Sequence, residues 1–287
     1  MATSLPPWFR EVFDEQGGEH EGLLSELVDS EGDIRLEVGG RTVLLPDDIR
    51  RALARLVDHR RRGENLRRLL DAVSTTPHIR LEPIVDLRAD KICGYEALTE
   101  LPDVGDGLPA AWFKEAAQLG LGGEVEIAAV EQAMAELPNL EPHVYLSINV
   151  SPQTATSPAL AAVLRRAPAH RIVLEVTEHA QVDDYASLNA ALAVLRNRGV
   201  RLAVDDAGAG FASFHHILLM RPEIVKLDVS LISDIDSDLA RRALVTGLIF
   251  FAQHISATTV AEGVETAEQA NALRELGIRY AQGYLYR

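Results

Sequence analysis

The sequence has little of what marks secreted, membrane-bound or nucleic-acid-binding proteins. A single cysteine, Cys93, excludes a disulfide bond within the chain. Acidic residues outnumber basic ones by 43 to 28, and the net charge of −15 argues against binding nucleic-acid polymers or anionic membranes through charge. The N-terminus lacks a basic segment followed by an apolar one, and the longest strongly apolar run, 243–252, is about half of the ~20 residues that a membrane helix needs. We therefore expect a cytoplasmic protein that has no transmembrane span.

Common catalytic signatures are missing as well. The chain contains no Gly-x-Ser-x-Gly elbow, which argues against a serine hydrolase, and no zinc-type cluster of His and Cys. Gly208 and Gly210 resemble part of a dinucleotide fingerprint, but the third glycine is absent. The chain does have 47% hydrophobic and 25% charged residues, which is the composition of a globular protein with a full core.

The first 76 residues differ in pattern from the rest of the chain. Residues 1–30 are acidic and weakly periodic, which predicts a frayed arm. Two alternating segments, 34–38 and 41–45, flank Gly39-Gly40 and predict a hairpin with a tight turn, followed by helices from Pro46 and over 64–73. Residues 31–76 are thus predicted to form a small α/β accessory module, to which a protein partner could bind.

After Pro77 short β-branched runs alternate with longer helical segments, which is typical of a parallel sheet wound with helices. Eight strands are predicted, over 79–86, 92–98, 144–150, 172–177, 200–205, 224–228, 258–263 and 280–286. Eight such strands favour a closed barrel whose chemistry lies at the carboxyl ends of the strands. Only about four residues join the first two strands, too few for a parallel crossover, so the first strand should run antiparallel to the second. Residues 77–287 are therefore predicted to form a modified (β/α)8 barrel of the TIM type.

Polar residues stand at or just after the ends of nearly all these strands. They are Glu96, Asn149, Glu175, Asp205, Asp206, Lys226, Asp228, Glu262 and Gln282. Any one such carboxylate could equally cap a helix, because strand-to-helix loops use Asp for capping. Their joint position predicts one rim crowded with negative charge, which divalent cations would neutralise. Oxygen ligands of this kind select Mg²⁺ or Mn²⁺.

Seven segments resemble, in order, the motifs of the EAL domain family. They are Gly94-Tyr-Glu-Ala-Leu98, Ser147-Ile-Asn-Val-Ser151, Leu174-Glu-Val-Thr-Glu178, Val204-Asp-Asp-Ala-Gly-Ala-Gly210, Val225-Lys-Leu-Asp228, Ala261-Glu-Gly-Val-Glu265 and Ala281-Gln-Gly-Tyr-Leu285. Seven ordered motifs over about two hundred residues make chance similarity negligible. The resemblance implies a modified (β/α)8 barrel with an antiparallel first strand, and hydrolysis of cyclic di-GMP (c-di-GMP) to linear pGpG in bacterial second-messenger signalling.

The resemblance also implies roles for individual residues. One Mg²⁺ or Mn²⁺ ion would be held by Glu96, Asn149, Glu175 and Asp205, and a second by Asp205, Asp206 and Glu262. Catalytic roles would fall to Asp206, Lys226 and Glu262, the last as general base. Substrate would contact Glu82, Leu98, Glu100, Asp228 and Gln282. Glu178 would anchor the loop 207–213, which in family members couples the metal site to a dimer interface, and the chain would form a homodimer through the barrel.

Two residues on the substrate side depart from the pattern of active family members. Glu82 stands where they have the glutamine of a Gln-Pro-Ile segment, and Glu100 stands where they carry an arginine that pairs with a substrate phosphate. Loss of that cation removes a charge-assisted hydrogen bond worth roughly 1.5–3 kcal/mol. Two hypotheses follow: a metal-dependent phosphodiesterase, favoured by the ligand set, and a catalytically degenerate EAL domain that acts as a c-di-GMP sensor or protein-interaction module. A structural module working through the N-terminal segment is a third.

Overall fold

A computed structural model describes residues 36–38, 41–43, 63, 79–100, 109–176, 182, 184–208 and 212–287. The chain separates into two compact units, Met1–Arg68 and Leu69–Arg287. In the first unit, β1 (Leu36–Val38) pairs antiparallel with β2 (Arg41–Val43), so the hairpin predicted around Gly39-Gly40 is confirmed. The helices predicted from Pro46 and over 64–73 lie outside the described residues. The domain divisions at residues 30 and 76 stay predictions.

The second unit is a closed eight-stranded barrel, which confirms the predicted fold class. Its strands are β3 (Ile79–Asp86), β4 (Lys91–Thr99), β5 (Tyr145–Val150), β6 (Ile172–Val176), β7 (Arg201–Ala207), β8 (Ile224–Leu227), β9 (Thr258–Ala261) and β10 (Tyr280–Gln282). The strand order around the barrel is β10-β3-β4-β5-β6-β7-β8-β9. Closure leaves no sheet edge exposed and brings all strand ends to one of two rims.

The first barrel strand runs against both of its neighbours, as predicted. β3 pairs antiparallel with β4 and with β10, whereas all other neighbouring strands of the barrel pair in parallel. The short connection between Asp86 and Lys91 allows only a tight turn, because a parallel return needs a dozen residues or more. The amino end of β3 therefore lies at the same rim as the carboxyl ends of the other strands.

The last strand is shorter than predicted. β10 ends at Gln282, and Tyr284–Tyr286 forms a 3-10 turn, so the prediction of a strand reaching residue 286 is wrong. Gly283 has a φ of 149°, and a Cβ added there would lie 2.3 Å from the backbone N and O of Val264. Only glycine permits this close approach of two backbone segments, and the approach ends the strand.

Helices alternate with the strands and cover the outside of the barrel. Those described are α1 (Pro109–Gln118), α2 (Gly122–Glu136), α3 (Pro152–Ala155), α4 (Pro158–Leu164), α5 (Tyr185–Arg196), α6 (Ala212–Met220), α7 (Val229–Ile232), α8 (Leu239–His254) and α9 (Ala267–Leu276). Local signals set their ends: Thr266 and Gln269 form a capping box at α9, and Gly277 ends it in the left-handed conformation. None of the helices in the described ranges is long and apolar enough to cross a membrane.

The barrel interior is built in layers. The layer farther from the carboxyl rim is an inner apolar cluster with one buried residue from each of five strands: Ile84, Val173, Ala203, Ile224 and Val260. The strand residues between these positions, such as Leu174, Leu202 and Val204, belong to the larger core beneath the helices. Because successive side chains of a strand point to opposite faces, residues two positions beyond the inner cluster must also face inward, one step nearer the rim. Charged residues occupy that next layer.

Candidate metal centre

A buried lysine lies among four carboxylates at the carboxyl rim of the barrel. The Lys226 ammonium nitrogen is 2.6 Å from Glu262 Oε1, 2.7 Å from Glu175 Oε2, 3.0 Å from Glu96 Oε2 and 3.1 Å from Asp205 Oδ1. The side chains of Lys226 and Glu175 are only 2% and 1% exposed, so water screens these charges weakly. If all four carboxylates are ionised, one ammonium leaves an excess of three negative charges in the cluster.

Strand alternation explains this convergence. Each of the residues Glu175, Asp205, Lys226 and Glu262 stands two positions after a member of the inner apolar cluster on its own strand or strand end. Glu96 stands two positions after Gly94, where a Cβ would lie 2.4 Å from the Tyr145 ring, so glycine leaves room for that ring inside the barrel. The periodicity of the strands therefore delivers every one of these groups to the same layer.

A β-bulge brings a second acidic residue of β7 to the centre. In a regular strand, Asp205 and Asp206 would point to opposite faces of the sheet. The register between β7 and β8 shifts between Val204 and Ala207, and Asp206 has a left-handed φ of 56°. Bulges of this kind re-aim side chains next to active sites. As a result, Asp205 and Asp206 both offer an oxygen to a group that also contains Glu262.

The electrostatic environment lowers the pKa of one carboxyl group of the centre, Glu96, and raises the pKa of two others, Glu175 and Glu262. Burial raises the pKa of Glu96, but attraction from Lys226 and hydrogen bonds from Gln282, Lys226 and Asn149 outweigh burial and leave this pKa below its ordinary value. Burial raises the pKa of Glu175 to about 8, and repulsion from Glu96 adds to the effect. Burial also raises the pKa of Glu262 well above its ordinary value, with repulsion from Asp205 and Glu96 opposing the attraction of Lys226.

The pKa of Lys226 moves in the direction that the surrounding charges require. Burial lowers this pKa, but attraction from Glu175, Glu262, Glu96 and Asp205 outweighs burial and raises it well above its ordinary value. Lys226 is therefore a permanent cation at neutral pH. Glu175, with a pKa of about 8, is mostly protonated at pH 7, and Lys226 is then the counter-charge of the carboxylates that remain ionised.

Two groups of three carboxylates have the spacing of metal ligands. Within Glu96, Glu175 and Asp205, and within Asp205, Asp206 and Glu262, one oxygen from each residue lies within 4.8 Å of the others. Asp205 belongs to both groups. Its Oδ1 is buried and, among the described residues, receives no hydrogen bond, although Lys226 lies 3.1 Å away as an ion pair. An unsatisfied buried carboxylate oxygen between two acidic groups fits a pair of hard divalent cations.

Neutral polar side chains hold the carboxylates in place. Asn149 Nδ2 donates to Glu96 Oε1 at 2.9 Å, and Gln282 Nε2 donates to Glu96 Oε2 at 2.7 Å and to Glu262 Oε1 at 3.3 Å. The Ser147 hydroxyl donates to Glu175 Oε1. Ser147 has no role among the residues predicted from the sequence, although its position two residues before Asn149 on β5 places both on the inner face.

Glu82 and Glu100, the two residues that differ from the pattern of active family members, lie at the rim beside an arginine. This arginine, Arg80, was not among the predicted site residues. Arg80 bonds Glu82 Oε2 at 3.1 Å through Nη1 and Glu100 Oε1 at 2.9 Å through Nε. The Arg287 guanidinium makes a second ion pair with Glu82. Alternation on β3 could have identified Arg80, because it stands two positions before Glu82 and four before the buried Ile84.

The remaining predicted site residues lie in other settings. Asp228 is the N-cap of α7, where its Oδ1 accepts a hydrogen bond from Ser230 N at 2.9 Å, and Leu98 is half-buried on β4. Glu178 lies outside the described residues, as does part of the loop 207–213. The substrate roles of Asp228 and Leu98, the anchoring role of Glu178 and the homodimer stay predictions.

A barrel with a reversed first strand and two acidic groups at its carboxyl rim belongs to the class of barrels whose carboxyl rim could hold metal ions. Comparison with known proteins gives the family. The EAL domain family matches residues 64–287, which is most of the chain. The chain belongs to the EAL domain family.

Relatives and solved structures agree with this assignment. PdeB of Escherichia coli K12, named a probable cyclic di-GMP phosphodiesterase, is 30% identical over 231 residues, which are 76% of this chain and 44% of PdeB. An uncharacterised protein of Sinorhizobium fredii is 29% identical over 216 residues, which are 72% of this chain and 26% of that protein. The structure of Klebsiella pneumoniae BlrP1 in a manganese/cy-diGMP complex has a TM-score of 0.64 and 28% identity, over 73% of this chain and 55% of that one. The chain thus spans between 26% and 55% of these three proteins.

Proposed function

We propose that this chain hydrolyses one phosphodiester bond of c-di-GMP to give linear pGpG, with two Mg²⁺ or Mn²⁺ ions as cofactors. The observation that carries the proposal is the pair of carboxylate groups that share Asp205 at the carboxyl rim. Glu96, Glu175 and Asp205, with Asn149, would hold one ion, and Asp205, Asp206 and Glu262 the other. Bound there, two such ions would acidify a water molecule and neutralise the charge that builds on the attacking and leaving oxygens.

The protein's own groups supply positioning and proton transfer. Glu262 Oε1 would accept the proton of the attacking water, because a buried carboxylate with a raised pKa is a stronger base than an exposed one. The Lys226 ammonium group, which lies 2.6 Å from that oxygen, would donate hydrogen bonds to the attacking water or to the phosphoryl oxygens. The hydrogen bonds of Asn149 and Gln282 would keep Glu96 in a fixed orientation.

The second candidate is a c-di-GMP sensor without turnover, and the rim glutamates favour it. Glu82 and Glu100 place two carboxylates on the substrate side, where each would repel a phosphate unless a cation screens it. Such a domain would retain the acidic centre for binding while positioning the scissile phosphate too poorly for attack. The presence of both carboxylate groups, with Glu262 as a candidate general base, favours the enzyme, because mutually repelling buried carboxylates destabilise a protein that has no use for them.

One experiment separates the two functions. Purified protein is incubated with c-di-GMP and Mn²⁺ or Mg²⁺, product is followed by chromatography, and nucleotide binding is measured by calorimetry. If the chain is a phosphodiesterase, pGpG forms with either metal, and its formation stops when a chelator is added. Binding of c-di-GMP with no pGpG after prolonged incubation supports the sensor. If the protein neither binds c-di-GMP nor forms pGpG, both functions are refuted.

Metal affinity is expected to rise with pH between about 6.5 and 8.5. The pKa of Glu175 is about 8 without metal, so most Glu175 carboxyls carry a proton at pH 7 that a bound cation must displace. One displaced proton corresponds to about a tenfold change in the dissociation constant per pH unit below the pKa, levelling off above it. Manganese titration at pH 6.5, 7.5 and 8.5 measures this dependence. A dissociation constant that is the same at all three values would contradict it.

A further inference from the structure

Arg80 is a cation on the inner face of the rim, one layer above the acidic centre. It stands two residues before Glu82, which pairs in register with Glu96, and opposite Leu98 of β4. A step of two residues along a strand is about 7 Å, so the Arg80 backbone lies that far beyond the layer of Glu96 toward solvent. The Arg80 side chain is 42% exposed, so it is accessible to a ligand that enters from the rim.

The partners of Arg80 can release it. Glu82 also pairs with Arg287, so its charge remains matched if Arg80 turns away. Glu100 is 58% exposed and can be hydrated when its partner leaves. An exposed ion pair of this kind changes an equilibrium by less than about tenfold, whereas a guanidinium and a phosphate can form two parallel charge-assisted hydrogen bonds. A phosphate that reaches the rim would therefore bind Arg80 more strongly than Glu100 does.

We propose that Arg80 binds a phosphate of the cyclic dinucleotide, on the strand next to β4, after which Glu100 stands where active family members carry an arginine. This inference rests on the proposed function for the identity of the ligand. Arg80 and Glu100 share one ion pair across β3 and β4, so a phosphate located between them is within reach of a guanidinium from either position. Glu100 then acts as a competitor that weakens binding without abolishing it.

The test compares four variants with the wild type. The quantity measured is kcat/KM for c-di-GMP where pGpG forms, and the dissociation constant of c-di-GMP where it does not. Arg80→Gln should weaken binding about 10- to 100-fold through KM, since it removes a charge-assisted hydrogen bond. Glu100→Gln should strengthen binding up to about tenfold by freeing Arg80. Arg80→Glu should be weaker than Arg80→Gln, and the swap Arg80→Glu with Glu100→Arg should recover at least about tenfold, because the cation returns from the neighbouring strand.

Arg279→Gln is the matched control. Arg279 pairs with Asp86, at the opposite end of β3, at 2.8 Å, so this variant removes the same charge and one ion pair far from the rim. It should leave c-di-GMP affinity within twofold of wild type, and Arg80→Gln should leave Mn²⁺ affinity and the melting temperature unchanged. Equal nucleotide affinity of Arg80→Gln and wild type overturns the inference. If the wild type binds c-di-GMP but forms no pGpG, only the proposed hydrolysis is refuted, because the dissociation constants still test Arg80. If the wild type binds no c-di-GMP, both the proposed function and the role of Arg80 are refuted.

Discussion

Replacement of Asp205 by asparagine is expected to lower c-di-GMP hydrolysis about a thousandfold, the largest loss among single changes at the centre. Asp205 is the residue that both carboxylate groups share, and its buried Oδ1 receives no hydrogen bond among the described residues, although Lys226 lies 3.1 Å away as an ion pair. A neutral amide lacks the negative charge that would offset the two cations, so both sites would weaken together. Loss of about 4 kcal/mol of charge stabilisation corresponds to three decades in rate. Initial rates of pGpG formation at saturating Mn²⁺ measure this effect, and calorimetric titration gives the metal stoichiometry.

Asp238→Asn is the control for this substitution. Asp238 is the N-cap of α8, where it accepts hydrogen bonds from the backbone of Ala240 and Arg241, and asparagine caps helices about as well as aspartate. This variant loses the same single charge while it keeps its structural role. It should retain wild-type activity and metal binding. More than a tenth of wild-type activity in Asp205→Asn, with two Mn²⁺ ions still bound, would show that Asp205 does not link the two groups.

Replacement of Lys226 by methionine is expected to make folding of the barrel depend on divalent metal. Lys226 is the ammonium group that four carboxylates share, and its own side chain is 2% exposed. Removal of one partner of a buried ion pair costs about 3–5 kcal/mol, which for a unit of this size lowers the melting temperature by about 10 °C. Millimolar Mn²⁺ should restore at least half of this loss, because cations at the same carboxylates replace the missing charge.

Thermal unfolding followed by circular dichroism, in chelator and in Mn²⁺, measures both effects. Lys91→Met is the matched control, since Lys91 is exposed at the start of β4, and its removal should shift the melting temperature by less than about 2 °C. At pH 8 the cost of Lys226→Met should exceed that at pH 6, because Glu175, whose pKa is about 8, is ionised more fully at the higher pH. The same melting temperature with and without Mn²⁺ would exclude this account of Lys226.

The sequence contained the information that determines the barrel and the composition of its rim. Alternation within β-branched runs locates strands, the four-residue connection after Asp86 forces the reversed first strand, and the position two residues beyond each buried residue determines which side chains face inward. These are local rules, so Glu96, Glu175 and Lys226 could be assigned to one rim without coordinates. The end of the last strand was missed because the contact of Gly283 with Val264 joins segments from different strands.

Only the tertiary structure decided how the rim residues pair. The bulge at Asp205 and Asp206 depends on the register between β7 and β8, and a regular strand would have turned Asp206 away. Lys226 and Glu96 are 130 residues apart in the chain but 3.0 Å apart in space, and Arg80 meets Glu100 across two antiparallel strands. Such contacts arise from closure of the barrel, which joins strands that no local pattern relates. Local periodicity determines the face on which a side chain lies, and the closed sheet determines which other charges it meets there.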